Sequence, residues 1–356
     1  MTGVEGLTLE AAEGASPTVT QDGEIPVLVD GADDVTVDDD IEFLSGIDVG
    51  ADFSDYDSGI AESDADTVVP DDHDSIGAAL NAEGADTTVL VKSDYDSSNE
   101  DADNAGSSSA LISIVDENVE VISEEGPEET VIDERPDATG GGRAIDINAA
   151  NVVFKGFDVA DAAQEGIVVS DVENAAGIEI TDNKINSSND GILVSEYGPA
   201  GFESASTDEI LISNNKVEHE RLGIVVDHGA SDPVVEQNTV IGTNDEERGI
   251  VLSDGGVTGA TVEANLVETS YVGFQRLDEG ETVDELSNNH FINNDLLSIV
   301  NSADGDLDAT NNWFGTEDRQ TIRDDDPEED FSDTLVAGEV NIDPFAGAPI
   351  DPDAGD

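Results

Sequence analysis

DNKI (182–185), NNKV (214–217), QNTV (237–240), ANLV (264–267), NNHF (288–291) and NNWF (311–314) are six versions of one phrase. In each, an asparagine at a turn is followed two residues later by Val, Ile or Phe. From Asn183 through Asn215, Asn238, Asn265, Asn289 and Asn312 the intervals are 32, 23, 27, 24 and 23 residues. A second phrase, glycine opening an apolar run, interleaves with the first: GIVVS (166–170), GILVS (191–195), GIVVD (223–227), GIVLS (249–253) and GFQRL (273–277). Its intervals are 25, 32, 26 and 24 residues, so two independent markers share one period and the same enlarged step. A period of 20–50 residues made of short β runs without intervening helices is a β-solenoid. Each coil is expected to supply three short strands, stacked about 4.8 Å from the coil below. Inward Val and Ile form apolar columns, and the repeated Asn is expected to stack into a side-chain amide ladder. The long step between Asn183 and Asn215 holds an insertion, GPAGFESAST (198–207), expected to protrude as a loop.

Outward from this core, the pattern begins at Asp74. SIGAALNAEGAD (75–86) has the 3.6-residue apolar spacing of one short helix and precedes TTVLVKS, SALISIV, VEVISEE and ETVIDER. A helix in that place covers the first open rung and keeps the end of a solenoid soluble. The opening helix and TVLV strand, ANVVFKGFDV (150–159), the stacked GI and DNKI coils and the closing ATNNWFG (309–315) resemble the right-handed parallel β-helix, or pectate-lyase-like, superfamily. The resemblance covers residues 74–315 and implies an all-β, right-handed parallel β-helix. It is silent on function, since this fold hosts lyases, hydrolases, adhesins, tailspikes and spacers. Three units are expected: a small β-rich docking module over 1–69, the β-helix with its helical cap over 70–315, and an acidic linker and capping tail over 316–356. Within the first unit, the acidic stretch from Gly50 to Asp66 reads as a loop or linker.

The chain has 356 residues, 86 acidic and 11 basic, for a formal charge of −75. Such self-repulsion opposes compaction in dilute buffer. At molar salt the Debye length falls to about 3 Å and the penalty is screened. Disordered acidic chains lack apolar residues, whereas this one is 37 % hydrophobic in regular runs. A folded protein of molar brine, of haloarchaeal cell or virus origin, is the expectation. Nucleic acid is excluded as a partner because no basic patch exists to replace phosphate counterions. There is no cysteine, hence no disulfide or thiolate metal site. The first residues carry no basic and apolar leader, and no window reaches the ~18 apolar residues that span a membrane. A chain made without an export tag, and without membrane insertion, is expected.

Three sets of residues carry candidate chemistry. The first is VVDHGAS (225–231), which sets Asp227 beside His228 at a strand end, with Glu196 and Asp254 at equivalent ends of the neighbouring coils. Carboxylates and a histidine can supply acid and base. However, acids line every turn of this chain, and the basic motif and paired aspartates of the hydrolases are missing. The balance is against catalysis; an enzyme on this scaffold would be a polysaccharide lyase or glycoside hydrolase. The second is Asp304, Asp306 and Asp308, which alternate in a glycine-containing loop whose oxygens suit calcium or magnesium. The bland alternative is a solvated turn, and no cofactor is required. The third is Tyr197 and Phe202, flanking the insertion, with Tyr271 two coils on, which are candidates to stack on sugar. One sequon, Asn186-Ser187-Ser188, would need an export route to be used.

The function expected is a structural and adhesive protein at the virion surface of a haloarchaeal virus: a capsid turret, spike or tail fibre. Its partners would be other virion proteins, bound through residues 1–69, and host surface glycan or S-layer, with the rod itself a homo-oligomer. The alternative is an extracellular polysaccharide lyase or hydrolase, or a cell-surface β-helix protein, of a haloarchaeon.

Overall fold

The computed structural model describes residues 49–100, 110–133, 142–170, 176–195, 209–227, 229–243, 247–253, 256–277, 280–303, 305–315, 336–337 and 340–342. From Val119–Ser123 to Leu297–Asn301 these wind into three sheets of parallel strands, here called A, B and C, with the chain visiting them in that order on every turn; before that, Thr67–Val69 and Thr87–Val91 both lie in A and Ala110–Ile114 in C. One coil shows the plan. Ile178–Thr181 lies in sheet A, Lys184–Ser187 in B and Asp190–Ser195 in C, and Ile210–Ser213 then returns to A directly against Ile178–Thr181. The right-handed parallel β-helix expected from the repeats is therefore the fold, and the handedness is the one that parallel crossovers take.

Both sequence phrases have a structural cause at a corner. Where sheet A turns into sheet B, the residue before the ladder asparagine is left-handed: Asp182, Asn214, Gln237, Ala264, Asn288 and Asn311 all have φ between 52° and 62°. Asp and Asn tolerate that conformation better than most side chains, which accounts for their frequency there. The next residue, the asparagine, points inward and is fully buried at Asn183, Asn215, Asn238, Asn265, Asn289 and Asn312. Asn215 shows the bonding: its backbone N–H and its Nδ2 both donate to Asn238 Oδ1, at 2.9 and 3.1 Å. The same Nδ2 also reaches the Ile180 carbonyl oxygen of the coil before, at 2.8 Å. The pattern repeats from Asn183 to Asn312, so the expected amide ladder exists, and every ladder side chain has both its Oδ1 and its Nδ2 bonded. It ends at Phe157, whose N–H donates to Asn183 Oδ1 but whose ring stacks on Phe154 instead of extending the chain of amides.

At the corner between sheets B and C stand the glycines of the second phrase. A methyl on Gly191 would overlap the inward methyl of Val217 and lie 2.7 Å from the Gly223 carbonyl oxygen. On Gly249 it would lie 2.6 Å from the Gly273 carbonyl oxygen. The backbones of successive coils approach too closely for any side chain. Between the corners, inward Val and Ile stack in register. The column Ile180, Ile212, Val235, Val262 and Leu286 in sheet A is fully buried.

The limits of the solenoid differ from those expected. Thr67–Val69 pairs with Thr87–Val91 and is the first strand of sheet A, so the solenoid starts before residue 70. The cap helix Ile76–Glu83 follows that strand. Ser75 Oγ accepts the Ala78 N–H, and the buried Glu100 carboxylate accepts those of Ile76 and Gly77, at 2.7 and 3.0 Å. At the other end the tail re-enters the solenoid. Val336–Ala337 pairs with Leu297–Asn301, and Val340–Asn341 with Leu307–Asp308. Residues 1–48 of the expected docking module lie outside the described residues.

The acidic stretch from Gly50 to Asp66 is not a free linker. Its first half lies as a strap across the A–B corner of successive coils. Gly50 N–H donates to the Ala264 carbonyl oxygen and Ala51 N–H to Thr239 Oγ1, both at 2.9 Å. The Asn214 side chain accepts the Asp52 N–H and donates back to its carbonyl oxygen, at 2.7 and 2.8 Å. Further along, the Tyr56 hydroxyl donates to the Ser123 carbonyl oxygen at 2.5 Å. A strap held by backbone and polar contacts has no apolar period, which is why its sequence reads as a loop.

Asn238→Ala is expected to strand the Asn215 N–H and to remove the Nδ2 donor from the Ile212 and Glu236 carbonyl oxygens. Each orphaned group costs roughly 1–3 kcal/mol, so the denaturant midpoint should fall by more than Thr239→Ala lowers it. Gly249→Ala should also destabilise, by about 1–3 kcal/mol or more. Urea titrations in molar salt measure both.

Candidate binding face

Sheet C carries the longest strands, six residues in Asp190–Ser195, Leu222–Asp227 and Arg248–Ser253, and the chain's variable loops leave from their ends. Its outer face holds two columns. The first runs Asp146, Val168, Leu193, Val225, Val251 and Gln275. The second, two residues further along each strand at the strand ends, contains Ser170, Ser195, Asp227 and Ser253.

The outward column is not an open cleft. Val168, Leu193, Val225 and Val251 are 0–5 % exposed and form an apolar cluster separate from the solenoid core, with Leu222 and Leu277 packed on it. The polar groups beside it are bonded to one another. Ser170 Oγ donates to Asp146 Oδ1 at 2.5 Å and lies 3.1 Å from Asn148 Oδ1. Arg143 stands 3.9 Å from the other Asp146 oxygen and 3.6 Å from Glu165. Ser195 Oγ donates to Asp227 at 3.3 Å. Asp146 and Asp227 are three coils apart and in different columns, so at 4.8 Å per coil they are separated by about 14 Å or more. Inverting glycosidases hold their carboxylates about 6.5–9.5 Å apart, and retaining ones closer still. These two carboxylates are not such a pair.

Of the residues singled out from sequence, Asp227 sits at the C–A edge of this face and is buried. His228, Glu196, Asp254, Tyr197, Phe202 and Asp304 lie outside the described residues. Tyr271 is exposed, but it precedes Val272–Arg276 at the opposite, B–C edge of sheet C. A strand length, about 17–20 Å for five to six residues, therefore parts it from the edge where the insertion leaves Ser195. Asp306 and Asp308 are exposed. Asp308 belongs to the strand Leu307–Asp308 rather than to a loop, and its carboxylate accepts the Thr310 N–H at 3.2 Å. Among the described residues no three acidic or histidine side chains converge as a metal site.

Sequence reasoning missed a polar cluster at the B–C corner. Arg221 forms a two-pronged pair with Asp190, Nε donating to Oδ1 at 2.8 Å. Burial raises the Asp190 pKa, and the guanidinium opposes that shift. One coil step along, His219 faces inward, wholly buried, stacked in register between Ser187 and Gly242. Neither ring nitrogen has a hydrogen-bond partner among the described residues, and burial pushes the pKa down to about 4. The inward position was readable from alternation with Val217. That the next coil offers Gly242, with no side chain, was readable only once the register was known.

Residues 143–314 match the family model described as right handed beta helix region. No curated protein and no solved structure matches the chain. The matched span starts at the sheet C strand Arg143–Ile147 and ends with Phe314, inside the longer solenoid of the structure.

His219 predicts a pH effect of defined sign. Its folded pKa, about 4, is below its ordinary 6.5, so between those values the unfolded chain binds a proton that the native chain refuses. Its contribution is intact above pH 6.5 and is lost as pH falls towards 4, by up to about 1.4 kcal/mol per pH unit. Burial lowers His290 in the same way and adds its own proton. Unfolding free energies at pH 7, 6 and 5 in molar salt are expected to show His219→Leu losing about one proton's worth of the wild-type slope.

Proposed function

Residues 143–314 belong to the right-handed β-helix repeat family, and from that premise we propose that the protein is a structural and adhesive rod on the surface of a haloarchaeal virus particle, as a turret, spike or tail fibre. The observation that carries the reading is the closed outer face of sheet C. Where a polysaccharide-cleaving enzyme of this architecture would need an open groove with converging acids, this chain has a packed apolar cluster and carboxylates satisfied by serines. The rest of the design favours rigidity. Parallel sheets tie each coil to the next, and from Asn183 to Asn312 the amide ladder adds to them.

In this role the solenoid is a stiff spacer, and recognition falls to loops at the ends of the sheet C strands, with host glycan or S-layer as the ligand. Residues 1–48, ahead of the strap, contact the other particle proteins. Calcium or magnesium bridges the acidic flanks of neighbouring copies, since a surface this negative cannot meet itself without cations between.

In molar KCl, the full chain incubated with haloarchaeal cell envelopes is expected to sediment with them and to release no new reducing ends from an acidic polysaccharide. Failure to sediment sinks the adhesive role. Reducing ends or unsaturated uronates, abolished by Asp227→Asn, would overturn the proposal in favour of a hydrolase or lyase.

A further inference from the structure

We propose that the strap is a salt-gated clamp, held on the A–B corner in brine and released in dilute solution while the solenoid beneath remains folded. The first argument is charge. Residues 49–66 carry six carboxylates, Asp52, Asp55, Asp57, Glu62, Asp64 and Asp66, and no base, on a chain of net charge −75.

Three of the four lysines meet this segment. Lys92 pairs with Glu62 at 3.1 Å. Lys155 donates to the Asp57 carbonyl oxygen at 2.7 Å and stands 5.3 Å above the Tyr56 ring. Lys184 stands 5.8 Å above Phe53. Each of these lysines is also paired with a carboxylate of the solenoid: Lys92 with Asp71, Lys155 with Asp182 and Lys184 with Glu128. Their charge is thus already largely cancelled, and the net force between strap and solenoid is repulsive. Exposed pairs of this kind contribute about 0–1 kcal/mol each, too little to reverse the sign.

The second argument is the kind of contact that holds the strap. Tyr56 seats on a floor of two left-handed glycines, Gly126 and Gly156, where a methyl would stand 2.7 Å or less from its ring. Its hydroxyl, the three N–H groups of Gly50, Ala51 and Asp52, and the Asp52 carbonyl oxygen, which the Asn214 amide takes, are the remaining anchors of residues 50–56. None of these belongs to the inter-coil ladders. A segment with few buried contacts opens at lower free energy than the core it lies on. Salt decides whether it does. The Debye length is about 3 Å at 1 M and about 10 Å at 0.1 M, so dilution lets all six carboxylates feel the solenoid at once. The chain enters the described structure at the Ala264 coil and crosses to Thr67, so the clamp also fixes where residues 1–48 join the rod.

The test is amide hydrogen exchange on the full chain across a KCl series. Between molar KCl and ~0.1 M, protection of the Gly50, Ala51 and Asp52 N–H groups is expected to fall at least tenfold, or about 1.4 kcal/mol of opening free energy. Over the same range the ladder N–H groups of Asn215, Asn238 and Asn265 should keep theirs. Tyr56→Ala and Lys155→Gln are each expected to move the strap's midpoint to higher salt. Lys216→Gln, whose lysine pairs with Glu218 in its own strand, should leave it unmoved. Strap and ladder losing protection together, a strap indifferent to salt, or variants with unshifted midpoints would each overturn the proposal.

Discussion

From the strand Val152–Lys155 onward, each coil turns from sheet A into sheet B within two residues, and the residue just before the B strand has its backbone inside the molecule. A buried N–H or carbonyl without a partner costs as much as a lost hydrogen bond or more, and the corner lies beside the buried side chains of Ile180, Ile212 and Val235. Asparagine meets the requirement because its one amide accepts and donates in opposite directions along the stack. Oδ1 takes the N–H and Nδ2 of the preceding coil, and its own Nδ2 serves the next Oδ1 and the carbonyl oxygens around it. Aspartate has no donor to offer and would bury a charge. Glutamine is one methylene too long for the register. The constraint fixes one residue per coil, and through it the spacing of everything else.

That is why the central coils were legible from sequence. Asn at one corner and Gly at another are chosen by backbone geometry, so they recur wherever the geometry recurs, whatever lies in the loops between. The ends were less legible because other devices close them. Thr67–Val69 is three residues long and separated from its partner strand by the cap helix, so no period announces it. Val336–Ala337 and Val340–Asn341 rejoin the sheets by backbone pairing, with no ladder asparagine to mark them. The strap binds through N–H groups, one asparagine and two aromatic rings, features that composition cannot distinguish from an acidic loop.

The candidate site shows the same limit in another form. Sequence places Asp227 at a strand end, and the structure agrees. Yet whether a row of side chains on sheet C faces solvent or a neighbour depends on what packs over it, which periodicity does not encode. Alternation reads Val168, Leu193, Val225 and Val251 as outward, and they are. Their burial is a property of the assembled molecule. Likewise, Tyr271 and the end of Asp190–Ser195 are close in coil number but sit on opposite edges of one sheet, a distinction of phase within the repeat.

The acidic surface and the apolar interior answer to different solvents. Inside, the columns of Val and Ile and the bonded amides would hold a β-helix together in any aqueous medium. Outside, the carboxylates repel one another, and only counterions make compactness tolerable. A solenoid suits such conditions because its strongest bonds run between adjacent coils and contain no net charge, so dilution weakens first whatever is merely laid upon the coils. Lysine usage reflects this division. Lys92, Lys155 and Lys184 lie where an acidic segment crosses an acidic flank, each shared between the two. On the clamp proposed above, the ladder sets the rod, and the salt of the medium sets what the rod keeps against its side.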